Sequence, residues 1–358
     1  MQNHYSTSNN DMMQDKTSIL LVYTGGTIGM KQDPVSFDLR PFDFSQILEE
    51  MPELKKFGYR IDTFSFDPVI DSSDVDIEFW KKLTRLIENN YDSYDGFVIL
   101  HGTDTMSFSA SALSFMLGDI EKPVIFTGSQ LPIGMLRTDG KENLISSIEI
   151  AASKDKNGHP MVPEVCIYFE SQLYRGNRTT KYTAENFRAF RSANYPVLAE
   201  AGIHIKFNTA FIRYPKTWGN PLRPVYNLDP SVLIIKVIPG MKRELLDFLV
   251  STPGIRAIIL ETYGSGNAPS GKWFTDCIRK AIDRGLIVLN VTQCQAGRVD
   301  MDTYSTGKSL KNIGVTGGGD CTTEAAVAKL FFLLGQSIDN EEIINLLKKN
   351  LRGELTEL

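Results

Sequence analysis

The chain is short of the residues that would staple it, load it with metal or hold it in a membrane. Its four cysteines, Cys166, Cys277, Cys294 and Cys321, form no C-x-x-C pair. That argues against a disulfide framework and against a zinc site, and leaves free thiols in a reducing compartment. Histidine is as scarce: His4, His101, His159 and His204 share no spacing that suits a metal or a triad. No apolar run approaches the ~20 residues a membrane helix needs. The first sixteen residues are polar, and Ser18–Tyr23 is too short and too strand-like for a secretion signal. We therefore expect a cytoplasmic protein with a disordered tail over 1–16. There is no long basic run, and the net charge is −5, which disfavours nucleic acid and membrane surfaces as partners.

What is present is ordinary globular material, 42% hydrophobic and 23% charged. At 358 residues the chain is longer than one core usually serves, so two domains are expected. Apolar, β-rich runs alternate with helical spacing. Ile19–Tyr23, Val69–Ile70, Phe97–Leu100, Val124–Phe126 and Val165–Phe169 read as strands. Trp80, Leu83 and Ile87 follow a helical period, as do Phe108, Ala112, Phe115 and Met116. The alternation implies βαβ units and a parallel sheet. From Phe207 to Pro230 the pattern dissolves among Pro215, Pro221, Pro224 and Pro230, which reads as an extended connector. A second series follows, with strands at Val232–Ile238, Ala257–Leu260 and Leu286–Val291 and a helix ending near Gly335. The expected fold is α/β: a larger N-terminal domain with a mainly parallel sheet over 17–206, a linker over 207–230, and a smaller C-terminal α/β domain over 231–358.

Two segments concentrate the chemistry. Thr24-Gly25-Gly26-Thr27-Ile28-Gly29 follows the first strand, and His101-Gly102-Thr103-Asp104-Thr105 follows the third apolar run. Turns at the ends of parallel strands are where open α/β sheets bind ligands. The glycines at 25, 26 and 29 miss the dinucleotide spacing, and no Gly-Lys-Thr/Ser follows to make a phosphate loop. Thr27 remains as a hydroxyl nucleophile or as part of a plain turn. Thr103 and Asp104 read either as chemistry or as a cap for the helix near Met106. Asp71-Ser72-Ser73-Asp74 carries the same ambiguity before Ile77. Yet all three clusters fall on one edge of the sheet. Lys181 is either a solvated lysine or a base for Thr103, oriented by Asp104, in a relay analogous to Ser–His–Asp. His101 reads as structural or as a support behind the site residues. The Gly317-Gly318-Gly319-Asp320 turn reads as a tight loop that places a helix.

These motifs resemble the signature segments of bacterial L-asparaginases, and the ordered set resembles the cytoplasmic type I branch of the asparaginase/glutaminase family. The likeness continues through Thr127-Gly128-Ser129-Gln130, Leu173 to Lys181, Tyr263 to Pro269, Thr292-Gln293-Cys294 and Asn350 to Thr356. It covers about Ser18 to Leu358. The resemblance implies a two-domain α/β hydrolase converting L-asparagine to L-aspartate and ammonia. By motif position Thr27 attacks the side-chain amide, and Thr103, Asp104 and Lys181 form the proton relay. Asp71, Ser72 and Ser73 hold the substrate's α-carboxylate end, and Asp104 also meets its α-ammonium. The family uses no metal or organic cofactor and assembles as homotetramers built from intimate dimers. The alternatives are a glutaminase-asparaginase of broader range and a non-catalytic amino-acid-binding protein. The related tRNA amidotransferase subunit needs an added N-terminal domain, which sixteen polar residues do not provide. Asparagine and glutamine differ by one methylene, worth only ~1–3 kcal/mol of discrimination.

Two departures stand out. The family's lid carries a tyrosine about ten residues after the nucleophile, whereas here Phe37 stands near that place. Phe37 lacks the hydroxyl, so we expect the lid to order by packing Phe37, or Tyr23 or Tyr59 to move in. Allosteric type I relatives place an arginine before the Tyr-Gly of the C-terminal motif, beside Thr-Gln-Cys. Here Glu261 stands there, next to a possible regulatory site of Thr292, Gln293 and Cys294. A glutamate repels the α-carboxylate that arginine would clamp, so hyperbolic kinetics are expected.

Overall fold

The computed structural model describes residues 16–32, 39–41, 47 and 51–357. Phe37 and residues 1–15 lie outside the described residues, and with them the lid packing and the N-terminal tail expected from the sequence. Contacts divide the chain into two units, 1–192 with 196–224 and 193–195 with 225–358.

The first unit is built on an eight-stranded sheet. Its strands are β1 (Ser18–Tyr23), β4 (Arg60–Ser65), β5 (Gly96–Leu100), β6 (Val124–Thr127), β7 (Val165–Phe169), β8 (Gln172–Arg175), β11 (Ala199–Ala201) and β12 (Ile205–Phe207). A hairpin of β2 (Met30–Gln32) and β3 (Leu39–Pro41) and another of β9 (Thr180–Lys181) and β10 (Phe190–Arg191) stand outside it. The strand order is β12-β11-β8-β7-β6-β5-β1-β4. The five strands from β4 to β7 run parallel, and β8, β11 and β12 add antiparallel neighbours. Every residue of β1 is buried, because helices cover both faces of such a sheet. That is why it reads as an unbroken apolar run. The chain leaves β1 for β4 on one side and returns to β5 on the other. This reversal opens a crevice at the carboxyl ends of β1 and β5.

Helices α1 (Ile77–Asn90), α2 (Met106–Met116) and α3 (Gly140–Ala152) cross between strands. Asp76 caps α1 by accepting from the Phe79 N–H at 2.8 Å, and Trp80, Leu83 and Ile87 are buried as their spacing requires. Helix α2 is buried on nearly all sides, which its run of Ser and Ala permits.

The strand expected at Val69–Ile70 is not one. The edge strand is β4, which begins nine residues earlier and whose sequence Arg-Ile-Asp-Thr-Phe-Ser mixes polar and apolar residues. An edge strand faces solvent in part, so it carries no continuous apolar signal. Val69 and Ile70 belong to the loop that follows.

The second unit has a parallel sheet ordered β13 (Val232–Lys236), β14 (Ala257–Thr262), β15 (Ile287–Thr292), β16 (Thr316–Gly317). Helices α4 (Arg243–Val250), α5 (Lys272–Asp283), α6 (Ser305–Asn312), α7 (Thr323–Leu334) and α8 (Asn340–Leu347) complete it. Ile258, Leu260, Val288, Phe274 and Ile278 lie at the centre of its core. Thr322 caps α7 by accepting from the Ala325 N–H at 3.1 Å.

Residues 208–224 carry no helix or strand. Side chains of the first unit hold this stretch: Glu164 accepts from the Arg213 N–H, Asp119 pairs with the Arg213 guanidinium at 2.9 Å, and Glu121 accepts from the Gly219 and Asn220 N–H groups. Among the described residues, no helix is long and apolar enough to cross a membrane.

Candidate active site

Three loops after parallel strands meet at the crevice, and glycine makes the approach possible. A Cβ on Gly25 would strike the Ile70 carbonyl in the loop after β4. A Cβ on Gly26 would lie 2.6 Å from the Gly102 nitrogen in the loop after β5. Gly25 and Gly26 also hold φ of 139° and 90°, which side chains disfavour. A Cβ on Gly102 would meet the Ser72 side chain. Backbone bonds seal the meeting, with Thr24 N donating to Leu100 O at 3.0 Å and Ile70 N to Thr24 O at 2.8 Å. Thr27 opens a one-turn helix directly after Gly26, and Thr103 directly follows Gly102. The loop contact therefore brings the two threonine segments together.

Lys181 arrives from elsewhere. It sits on β9, paired through Phe190 of β10. Its Nζ donates to Thr103 Oγ1 at 2.8 Å and to Asp104 Oδ1 at 2.6 Å. The Lys181 side chain is 20% exposed and that of Asp104 63%, so the lysine is enclosed while the carboxylate faces the opening. Helix capping does not occupy Thr103 or Asp104. The cap position of α2 is Thr105, which makes no cap bond and donates to Ser72 O at 2.6 Å instead.

The Asp71–Ser73 segment does not cap the helix at Ile77, which Asp76 caps; it caps the short turn of its own residues. Asp71 Oδ1 accepts from the Ser73 N–H at 2.9 Å and the Ser73 hydroxyl at 2.8 Å, capping a short 3-10 turn. Those two bonds hold its carboxyl below the usual range. Ser72 is buried under Gly102.

His101 is structural, as its sequence context suggests. Its ring is 1% exposed and edge-on to Phe79 and Phe126. Burial pushes its pKa down to about 4, against the opposing effect of its bond to Gly102. The neutral ring needs a proton on Nδ1, which faces the Gly102 carbonyl at 2.7 Å. Nε2 then accepts from Ser109 Oγ at 3.0 Å, and Ser109 in turn accepts from Trp80 Nε1 at 3.0 Å.

Tyr23 is buried and its hydroxyl donates to Gly26 O at 3.5 Å, beneath Gly29. Burial raises that phenol to about 12. Tyr59 stacks on Phe57. Tyr23 thus braces the Gly26–Gly29 turn that carries Thr27.

Sequence reasoning missed Asp139. It stands at the cap position of α3 but makes no cap bond. Its carboxylate turns to the Gln130 and Leu131 N–H groups at 3.0–3.2 Å. Burial raises its pKa. An Asp-Gly before a helix reads as a cap, so nothing local marked this role.

In the second unit, Glu261, Thr292, Gln293 and Cys294 do come together at the ends of β14 and β15. Gln293 Nε2 donates to Glu261 O at 2.8 Å, and Thr292 Oγ1 accepts from the Cys294 N–H at 3.0 Å. The Glu261 carboxylate accepts from Thr323 Oγ1 at 2.8 Å and lies 3.7 Å from Lys236 Nζ. The Gly317–Asp320 turn is likewise occupied internally: Asp320 accepts from the Thr356 N–H and hydroxyl at 2.8 and 2.7 Å. Among the described residues, no group of His, Cys, Asp and Glu is arranged to hold a metal ion.

Two family models match the chain, "Asparaginase, N-terminal" over residues 18–213 and "Glutaminase/Asparaginase C-terminal domain" over residues 231–347. L-asparaginase 1 of Escherichia coli K12 is 44% identical over 344 residues, which is 95% of this chain and 98% of that protein. The structure of L-asparaginase I from Vibrio cholerae superposes with a TM-score of 0.85 at 40% identity, over 96% of this chain and all of that one. The thermostable L-asparaginase from Thermococcus kodakarensis gives the same TM-score at 31% identity, again over 96% of this chain and all of that one.

Proposed function

The chain belongs to the asparaginase family, and from that premise we propose that it is an L-asparagine amidohydrolase acting through a threonine nucleophile. The observation that carries the reading is the Lys181–Thr103–Asp104 contact, made across more than seventy residues of chain. A threonine hydroxyl is a weak nucleophile without a proton carrier near it.

In the mechanism we propose, Thr27 Oγ attacks the carboxamide carbon and its proton enters the Thr103–Lys181 relay. Backbone N–H groups of the glycine turns stabilise the tetrahedral oxyanion. The C–N bond breaks as the relay returns the proton to nitrogen, and ammonia leaves. Water then attacks the aspartyl-Thr27 ester, restoring the Thr27 hydroxyl and releasing aspartate. Asp104 orients Lys181 and meets the substrate ammonium. Asp71, Ser72 and Ser73 take the α-carboxylate end, with Ser72 and Ser73 as donors. No metal or organic cofactor enters these steps. The same reading takes 17–206 and 231–358 as the two domains, joined by 207–230, in a cytoplasmic homotetramer. Light scattering of the purified protein measures the assembly.

The test is ammonia release from L-asparagine and L-glutamine by the wild type and by Thr27→Ala. We expect release from L-asparagine that the substitution abolishes. Hydroxylamine should divert the acyl-enzyme to a hydroxamate. Undiminished release by Thr27→Ala would overturn the proposal.

A further inference from the structure

Lys181 stands on a two-residue strand, so its reach to Thr103 depends on the loop 182–189 that joins β9 to β10. That loop folds on itself, with Tyr182 N donating to Ala189 O at 2.7 Å and Ala189 N to Phe187 O at 2.8 Å. Two of its carbonyls, Ala184 and Asn186, accept from one amide, Gln130 Nε2, at 3.3 and 3.1 Å. Facing two carbonyls, that end of the Gln130 side chain must be the NH2.

Gln130 is itself fixed. Its N–H donates to both oxygens of Asp139, and Leu131 N adds a third bond at 3.2 Å. Asn143 Nδ2 donates to Asp139 Oδ2 at 3.3 Å and to Gly128 O at 2.9 Å. Asn143 Oδ1 accepts from the Glu170 N–H at 3.1 Å. Glu170 and Ser171 form the two-residue turn from β7 to β8 at φ of 45° and 65°, a conformation that costs non-glycine residues energy. From that turn Glu170 Oε2 accepts from Arg188 Nε at 2.8 Å. The lysine-bearing loop is thus tied at two points, and both ties lead back to Asp139 and Asn143 at the start of α3.

We propose that Gln130, braced by Asp139, is a positioning residue whose amide holds the 182–189 loop so that Lys181 stays within reach of Thr103 and Asp104. This role rests on the relay assigned to Lys181 above. Gln130 acts through the loop backbone rather than on the lysine ammonium itself. The tie through Gln130 is the more specific one, because a single amide engages two backbone carbonyls of the loop, whereas Arg188, two-thirds exposed, holds Glu170 through a surface ion pair, which contributes little.

The experiment uses Gln130→Glu, which keeps the shape but replaces both donors with acceptors facing carbonyls. Gln130→Leu is the second variant. We expect kcat to fall about tenfold or more while KM stays within about threefold, the split that marks a lost transition-state function. Amides of 182–189 should exchange faster, with the melting temperature unchanged. A wild-type kcat would overturn the proposal, whether or not exchange changes. So would a kcat that falls only in step with melting temperature, because that marks general damage. Failure of the underlying reaction looks different: Thr27→Ala or Lys181→Met would then keep its rate, and the role given to Gln130 would fall with it.

Discussion

Lys181 Nζ lies 2.8 Å from Thr103 Oγ1 although 78 residues separate them in sequence. The contact joins a hairpin outside the main sheet to a loop at its carboxyl edge. If the lysine carries protons, removing its amine should slow turnover far more than binding. We expect Lys181→Met to lower kcat for L-asparagine by ~10²–10⁴-fold, the range of a lost general acid–base group. Steady-state ammonia release checks it, and a kcat within a few-fold of wild type would count against the relay.

Gly102 offers a test of how the loops after β4 and β5 are held. A Cβ there would lie 2.7 Å from Ser72 Cβ, closer than packed atoms tolerate. Gly102→Ala should cost about 1–3 kcal/mol of stability, as overpacking does, and should raise KM by displacing Ser72. Ser72→Gly removes the colliding side chain. The double variant should therefore recover stability relative to Gly102→Ala, a coupling read by a double-mutant cycle. Simple additivity would mean that the loops move apart freely.

His101 gives the pH dependence its sign. Its pKa is depressed to about 4 from 6.5, so the unfolded chain takes up a proton before the folded one does. Its contribution to stability is present above pH 6.5 and is lost as pH falls towards 4. The slope from this group is at most ~1.4 kcal/mol per pH unit. Asp71 and Asp95 are also depressed, but from 3.8, so their losses come at lower pH. Denaturant melts between pH 7 and 4 should show a slope that His101→Asn reduces. An unchanged slope would place the acid sensitivity elsewhere.

Much of this was legible for one physical reason. Strands β1, β5, β6 and β7 are covered on both faces, so each is a plain apolar run ended by a glycine or hydroxyl turn. Those turns carry Thr27, Thr103 and Asp104. The edge strand β4 was not legible, because the buried polar residues Asp62 and Thr63 break its apolar run, Asp62 being met by the Tyr94 hydroxyl at 2.9 Å. Asp139 was hidden by a local signal that also fits a helix cap. Gln130 appeared in a motif without a role, because its partners, the Ala184 and Asn186 carbonyls, are backbone atoms more than fifty residues away. No periodicity encodes a contact to backbone.

Glu261 bears on regulation. Thr323 and Lys236 already engage its carboxylate. An effector carrying an α-carboxylate would meet a negative charge there rather than a clamp. Initial rates against L-asparagine should therefore follow a hyperbola with a Hill coefficient of one. A sigmoidal curve that Thr292→Ala or Cys294→Ala abolishes would refute this.

Lys329 and Glu354 make the sharpest stability test in the second unit. Both are almost fully buried, at 1% and 0% exposure, and Nζ lies 2.6 Å from Oε1. The rest of each charge is also met. Lys329 donates to the Leu347 and Lys349 carbonyls, and Glu354 accepts from the Leu351 and Arg352 N–H groups. The pair thus fastens the chain after α8 to helix α7. Removing one partner strands the other charge out of water, which typically costs ~3–5 kcal/mol. Glu354→Leu should therefore lower the urea midpoint strongly, and so should Lys329→Met. The double variant leaves no buried charge, so it should be more stable than either single variant, though the tail keeps fewer ties. If the double variant instead shows the sum of the single losses, the backbone bonds rather than the ion pair hold the tail.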